Sequence, residues 1–183
     1  MRRFVFPLAA LAFAAAFTTS VSAQKVTPGK PGDGGSAHEM VEWTIDSGHL
    51  SIEYGRPSLK GRTPGKDVEP MEGEEWRTGA DAATTLKTDK MLMIGSLHVP
   101  AGTYTIYTIP KGGIWQLILS KKTGQWGTPY PGKSSDLGRT PMKLSTNAKP
   151  VEQLTISIED TPAGATLHID WGTTRASIPF TIG

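Results

Sequence analysis

The stretch QLTISIEDTPAGATLHIDWGTTRASIPFTI, residues 153–182, decides the fold class. It contains three runs in which apolar and polar residues alternate: 153–159, 165–171 and 175–182. In an extended strand this alternation places apolar side chains on one face and polar side chains on the other. The turn signals TPAG (161–164) and GTT (172–174) separate the runs. The stretch therefore predicts consecutive β-strands, each with one face against a core.

The same organisation continues toward the N-terminus. Five further strands are predicted at LSIEY (50–54), ATTLKT (83–88), MLMIG (91–95), TYTIYTI (103–109) and IWQLILS (114–120). No stretch after residue 23 has a helical period. Many short strands with regular turns are typical of an antiparallel β-sandwich or jelly roll, and we predict one all-β domain over residues 39–183. Two longer loops, 56–75 and 121–141, interrupt it, and loops of that length are usually functional or mobile.

The first 23 residues have the organisation of a secretory signal peptide. Arg2 and Arg3 provide a positive start, residues 4–17 an apolar run, and Val21-Ser22-Ala23 a cleavage site of small residues. The apolar run is shorter than the roughly 20 residues that a membrane-spanning helix needs. We therefore predict cleavage after Ala23, a periplasmic or secreted protein, and no membrane insertion after cleavage.

The charge balance and the absence of cysteine exclude several classes of partner and of functional site. Loss of the signal peptide lowers the 19 Lys and Arg residues to 17, which equals the 17 Asp and Glu residues. This balance argues against nucleic acid or an anionic membrane as the partner. The chain has no cysteine, which excludes the lipid-modified cysteine of a lipoprotein, thiol catalysis and cysteine metal sites. Residues 24–38, rich in Gly and Pro, are predicted to be a flexible tether.

Sequence motifs of common enzymes are absent. The chain has no G-x-S-x-G, S-x-x-K, Walker, G-x-G-x-x-G or H-E-x-x-H motif. His168 and Asp170 share one face of a predicted strand and could supply two metal ligands. Since Leu167, Ile169 and Trp171 fill the core face of that strand, we expect His168 and Asp170 to face solvent instead. We predict no metal site and no cofactor.

Tryptophans raise the question of carbohydrate stacking. Trp115 and Trp171 fall on apolar strand faces and are predicted to be core residues. Trp76 and Trp126 lie in loop-like settings, where the ring either plugs the end of a sandwich or forms a platform for a ligand. We favour the plug for both, and Trp126 with Tyr130 is the best platform pair if one exists.

Arginines give the strongest indication of a ligand site. Guanidinium groups suit planar recognition of carboxylate or phosphate. Turn backbone at residues 78–80 could add N–H donors directed at an anion. The alternative is that Arg77 pairs with Asp81 or Asp136 and only pins the loops over the sandwich end. The predicted ligand-binding set is Arg56, Arg62, Trp76, Arg77, Asp81, Trp126, Asp136 and Arg139, with Lys60 in the same loop as the first two.

These residues also carry a family resemblance. The segments YGRPSLKGR (54–62), WRTGADAATTL (76–86), VPAGTYTIYTIP (99–110), WQLILSK (115–121), WGTPY (126–130) and DLGR (136–139) resemble, in order and spacing, the bacterial domain-of-unknown-function family numbered 2911. The resemblance implies an exported bacterial protein and no assigned activity. Asparagine is usual in that family where this chain has Asp81, and the added negative charge favours an internal pair with Arg77.

Three functions are open at this stage. The first is a non-catalytic binding or accessory module of the cell envelope, with a small anionic or carbohydrate-like ligand. The second is a periplasmic hydrolase or lyase that uses paired carboxylates, either Asp81 with Asp136 or Glu74 with Glu75. The third is a structural domain that meets an envelope protein through a strand edge. We favour the first.

Overall fold

A computed structural model describes residues 24–183, and the predicted signal peptide lies outside the described residues. The described chain is built from β-strands joined by turns and loops. The strands are β1 (Gln24–Pro28), β2 (Ala37–Ile45), β3 (Gly48–Arg56), β4 (Thr85–Thr88), β5 (Leu92–Ile94), β6 (Leu97–Val99), β7 (Gly102–Lys111), β8 (Ile114–Ser120), β9 (Asp136–Thr161) and β10 (Gly164–Ile182), with one 3-10 turn at Lys133–Ser135. In the part of the chain that the structure describes, no helix has the length and apolar character needed to cross a bilayer.

Neighbouring strands all pair antiparallel, in the order β1-β2-β3-β4-β7-β8-β9-β10-β5-β6. They form one sheet of ten strands that does not close into a barrel. The predicted all-β antiparallel class is confirmed. The sheet folds over so that β3 approaches β9, which is not its neighbour in the strand order: the Tyr54 hydroxyl of β3 accepts a hydrogen bond of 2.9 Å from the Ile156 N–H of β9.

β10 bends back on itself. At Gly172 the backbone has a φ of 58°, a left-handed value that glycine adopts without steric cost. The two halves of β10 then lie side by side, since His168 is hydrogen-bonded to Ser177 at 2.8 Å. Gly164 likewise lies against Phe180, whose carbonyl oxygen would be only 2.5 Å from a Cβ at position 164. The predicted GTT turn is therefore a bend inside one long strand.

The core lies between the parts of the folded sheet that face each other. A single cluster of buried apolar side chains joins Trp43 of β2, Leu117 of β8, Ile156 of β9 and Trp171 of β10. The alternating residues of the 153–182 stretch point into it, as predicted: Leu154, Ile156, Leu167, Ile169, Trp171, Ala176, Ile178 and Phe180. Trp115 is also buried in this cluster, so both tryptophans predicted to be core residues are in the core.

The N-terminal segment differs from its prediction as a flexible tether. Gln24–Pro28 forms β1, whose register along β2 runs from Pro28 opposite Glu39 to Gln24 opposite Trp43. The composition did not indicate this strand, because every glycine and proline of the segment except Pro28 lies in the connection at 29–36. Backbone pairing also needs no apolar side chains. β2 itself was not predicted, nor was β6, and the predicted loop at 121–141 already enters β9 at Asp136.

Candidate functional site

A cleft of about 630 Å³ lies between the 29–36 connection, the loop that follows β3, and the corner that leads into β4. Its volume is in the range of small-molecule binding sites, about 300–1,000 Å³. The cleft is lined by five of the eight residues predicted to bind a ligand: Arg56, Arg62, Trp76, Arg77 and Asp81. Segments that are distant in the sequence therefore meet at this cleft, and three of the predicted arginines, Arg56, Arg62 and Arg77, line it.

The corner at residues 76–78 holds Arg77 in place. Trp76 is 2% exposed, exchanges two backbone hydrogen bonds of 2.9 Å with Thr108, and packs edge-on against Trp115. Thr78 has a φ of 56°, which is rare for a β-branched residue. Its hydroxyl is bonded to Thr108, and Thr84 donates a hydrogen bond to its carbonyl. Trp76 is thus the plug that the sequence favoured, and it anchors one side of Arg77.

Arg77 has no ion-pair partner among the described residues. Its guanidinium lies 5.8 Å from the centre of the Trp126 ring, and Nη1 makes one long contact of 3.5 Å to the Trp126 carbonyl. Its Nε is buried and has no hydrogen-bond partner within residues 24–183. The alternative in which Arg77 pairs with Asp81 or Asp136 is therefore wrong. The guanidinium keeps N–H donors for another group.

Asp81 is held by the N-terminal part of the domain instead. Its carboxylate lies 3.2 Å from Nε2 of His38 and accepts a hydrogen bond of 2.9 Å from the Gly34 N–H. The φ of Asp81 is 60°, a region that aspartate and asparagine tolerate better than most residues. Asparagine could keep both the conformation and the acceptor for Gly34. The expectation that the negative charge at position 81 pairs with Arg77 is wrong, because β2 supplies a nearer partner.

Arg56 and Arg62 shape the wall of the cleft but are already bonded. Nη1 of Arg56 is 2.7 Å from the Glu39 carboxylate, and its Nε donates to the Leu154 carbonyl at 2.9 Å. Arg62 donates to the backbone carbonyls of Leu59 and Ser58, at 3.0 and 2.8 Å. These carbonyls fix Arg62 without neutralising it. The two arginines differ from Arg77 because their donors are used within the protein.

Besides Arg62 and Arg77, two further charged residues of the cleft have no ion pair among residues 24–183. They are Lys60 and Glu69. The sequence placed Lys60 in the arginine loop but gave no indication of Glu69, which stands in a run of acidic residues with no distinguishing pattern. The backbone carbonyl of Glu69 accepts a hydrogen bond of 2.9 Å from Nε1 of the buried Trp171. That bond ties the loop to the core.

The other three predicted residues do not line the cleft. Trp126 is 48% exposed and lines a second cavity of about 300 Å³ with His38 and Gln125, so its interpretation as a plug is wrong. Asp136 and Arg139 form an ion pair at 2.7 Å. Both also bond the Tyr130 hydroxyl, whose pKa is raised to about 12, mainly by burial and then by the hydrogen bond to Asp136. Tyr130 is therefore part of a closed network.

A family model described as "Protein of unknown function (DUF2911)" matches residues 36–180. The chain belongs to this family. The resemblance noted in the sequence is confirmed, and the matched DUF2911 region contains all eight predicted site residues. No curated protein and no solved structure matches the chain.

A second cluster of polar residues in the DUF2911 domain corrects the prediction that His168 and Asp170 face solvent. Both are buried. The bend in β10 brings Arg175 against Asp170, with two hydrogen bonds of 2.7 and 2.8 Å, and these raise the pKa of the arginine. His168 contacts Ser177 and, at 3.1 Å, Glu159. The two halves of β10 therefore cover each other's polar side chains. Residues 24–183 contain no group of three or more His, Cys, Asp or Glu that could hold a metal ion.

Proposed function

We propose that this protein is a non-catalytic binding module of the bacterial cell envelope, and that its cleft binds a small ligand bearing carboxylate or phosphate. The observation that carries the proposal is Arg77, which lines the cleft and whose buried Nε has no acceptor among the described residues. A buried donor without a partner costs about 1–3 kcal/mol. A ligand oxygen at this position would remove that cost and gain a charge-assisted hydrogen bond.

The charges around the cleft support an anionic ligand. Four cationic side chains line it, against two carboxylates, those of Glu69 and Asp81. Glu39 neutralises Arg56 and His38 engages Asp81, so Arg62, Lys60 and Arg77 are the cations that face no carboxylate of the protein. Positive charge concentrated in a cleft raises the local concentration of an anion even when the whole chain is nearly neutral.

The proposal is for binding rather than catalysis because, of the two carboxylate pairs considered as acid and base, one is bonded elsewhere and the other, Glu74 with Glu75, does not line the cleft. Asp81 is engaged by His38 and Gly34, and Asp136 by Arg139 and Tyr130. A location in the envelope rests on the signal peptide predicted at residues 1–23. Fractionation of cells that express the full chain tests it, and recovery of the intact chain from the cytosol would contradict it.

Calorimetric titration of the purified protein with inorganic phosphate, succinate and the neutral disaccharide maltose tests the binding proposal. We expect the two anions to bind and maltose not to bind. Arg77→Gln should weaken anion binding by roughly tenfold or more, since a hydrogen bond to a charged group contributes about 1.5–3 kcal/mol. Lys66→Gln is the matched control, because it removes one positive charge from an exposed site of the same loop region outside the cleft lining.

Equal anion binding by Arg77→Gln and the parent protein would overturn the proposal. Binding of maltose with an affinity equal to that of succinate would also overturn it. Urea denaturation of both variants shows whether a loss of binding reflects a loss of folding.

A further inference from the structure

We propose that the ligand of this cleft is a zwitterion, a free amino acid or a short peptide with both termini free, whose carboxylate binds Arg77 and whose ammonium group binds Glu69. This inference rests on the proposed function and specifies its ligand. It starts from the observation that unpaired charges of both signs line the same cleft.

Of the two carboxylates that line the cleft, Asp81 is engaged by His38 and Gly34, and Glu69 is the one that no side chain of residues 24–183 engages. Its side chain is partly buried and makes no hydrogen bond or ion pair within residues 24–183, although Lys60, Arg62 and Arg77 line the same space. A partly desolvated carboxylate is unfavourable unless a cation compensates it. A ligand that carried only negative charge would leave Glu69 uncompensated and would be repelled by it.

The position of Glu69 is fixed by its neighbours. Its carbonyl accepts the hydrogen bond from the indole of Trp171, Val68 packs against the core, and Pro70 is buried. The carboxylate is therefore carried by an anchored segment rather than by a free loop tip. Arg77 is anchored in the same way, between the buried Trp76 and Thr78.

These two anchored groups stay separate in the structure. No ion pair joins Arg77 to Glu69, so neither satisfies the other across the cleft. Preorganised groups of opposite charge bind a ligand with the opposite dipole at a low cost in ordering. The polar side chains of Ser58 and Gln153, which also line the cleft, can bond the amide of a peptide.

Three probes that differ only in their termini test the inference: L-alanyl-L-alanine, its N-acetyl derivative and its C-terminal amide. We expect the free dipeptide to bind the purified protein roughly tenfold or more tightly than either derivative, because each derivative loses one charged hydrogen bond. If the N-acetyl derivative bound as tightly as the free dipeptide, the inference that the ligand is a zwitterion would be overturned.

Two substitutions then assign the ends of the ligand. Glu69→Gln should reduce dipeptide binding roughly tenfold, to the level of the N-acetyl derivative, and leave binding of that derivative unchanged or improved. Arg77→Gln should weaken both carboxylate-bearing probes and leave the amide unchanged. Glu74→Gln, an exposed acid of the same loop that does not line the cleft, is the control and should match the parent protein.

The two proposals fail in different ways. If succinate binding depends on Arg77 but Glu69→Gln does not change the preference for the free dipeptide, the zwitterion is overturned and the anion site stands. If Arg77→Gln leaves the binding of every anion unchanged, both proposals are overturned.

Discussion

Arg77 and Arg139 have similar surroundings but different partners. Each guanidinium lies beside an aromatic ring, 5.8 Å from the centre of Trp126 in one case and 5.7 Å from that of Tyr130 in the other. Arg139 also has an acid, Asp136, at 2.7 Å and bonds the Tyr130 hydroxyl at 2.8 Å. Arg77 has only the long contact to a carbonyl. An aromatic neighbour therefore does not distinguish a structural arginine from an available one, whereas a bonded carboxylate does.

The largest expected effect concerns the corner that keeps Arg77 in the cleft. Trp76→Ala should lower the free energy of unfolding by about 4 kcal/mol, because truncation of a buried tryptophan removes its packing and leaves a cavity. Trp126→Ala should cost less than about 1 kcal/mol, since that ring is half exposed. Urea denaturation measures both. Similar losses for the two variants would show that Trp126 also acts as a plug.

Replacement of Arg139 and of Arg77 by alanine, one at a time, compares what each arginine contributes to stability. Arg139→Ala should cost about 2 kcal/mol of stability, because Asp136 then keeps a mostly buried carboxylate without its cation. Arg77→Ala should change stability by less than about 0.5 kcal/mol, since no bonded acid is left behind and the loss of the contact with Trp126 offsets the removal of the unpartnered Nε. A loss at Arg77 as large as that at Arg139 would mean that Arg77 has a structural role, and the comparison would fail.

Position 81 allows a finer test of how the cleft is closed on its N-terminal side. Asp81→Ala should cost about 1.5 kcal/mol, because the Gly34 N–H and His38 lose their partner and alanine disfavours a φ of 60°. Asp81→Asn should cost less than about 0.5 kcal/mol, since asparagine keeps the acceptor and tolerates the conformation. Thermal denaturation at neutral pH measures both stabilities. Equal losses for the two variants would contradict the importance of the φ of position 81 and of the acceptor for the Gly34 N–H.

The smallest effect is the dependence of the closed network on alkaline pH. Burial raises the pKa of Tyr130 to about 12, and it also raises the pKa values of Tyr54 and Tyr107. Protonated tyrosines therefore contribute stability that is complete below about pH 10, the usual value, and is lost as the pH rises toward 12. Tyr130→Phe should make this decline shallower in urea denaturation between pH 9 and 11.5. An unchanged slope would contradict it.

The sequence predicted the fold better than the site. The alternation at 153–182 specified strands and their buried faces, because a period of two leaves one way to hide the apolar residues. β1 was missed because its stability comes from backbone pairing with β2, which composition does not record. The prediction that His168 and Asp170 face solvent is wrong because alternation along one strand does not show what packs on its polar face. The bend at Gly172 places a second set of polar side chains over both residues.

By itself the sequence determined an antiparallel β fold, membership of the DUF2911 family, and a concentration of arginines in a few connecting segments. Only the tertiary structure decided which arginines are used internally. Because β2 pairs with β3, Glu39 of β2 forms an ion pair with Arg56. The same pairing places His38 of β2 beside Asp81, so that Asp81 contacts His38 and not Arg77. Alternation along a strand is a local property, whereas the neutralisation of a charge depends on which distant residues the fold brings within hydrogen-bond reach.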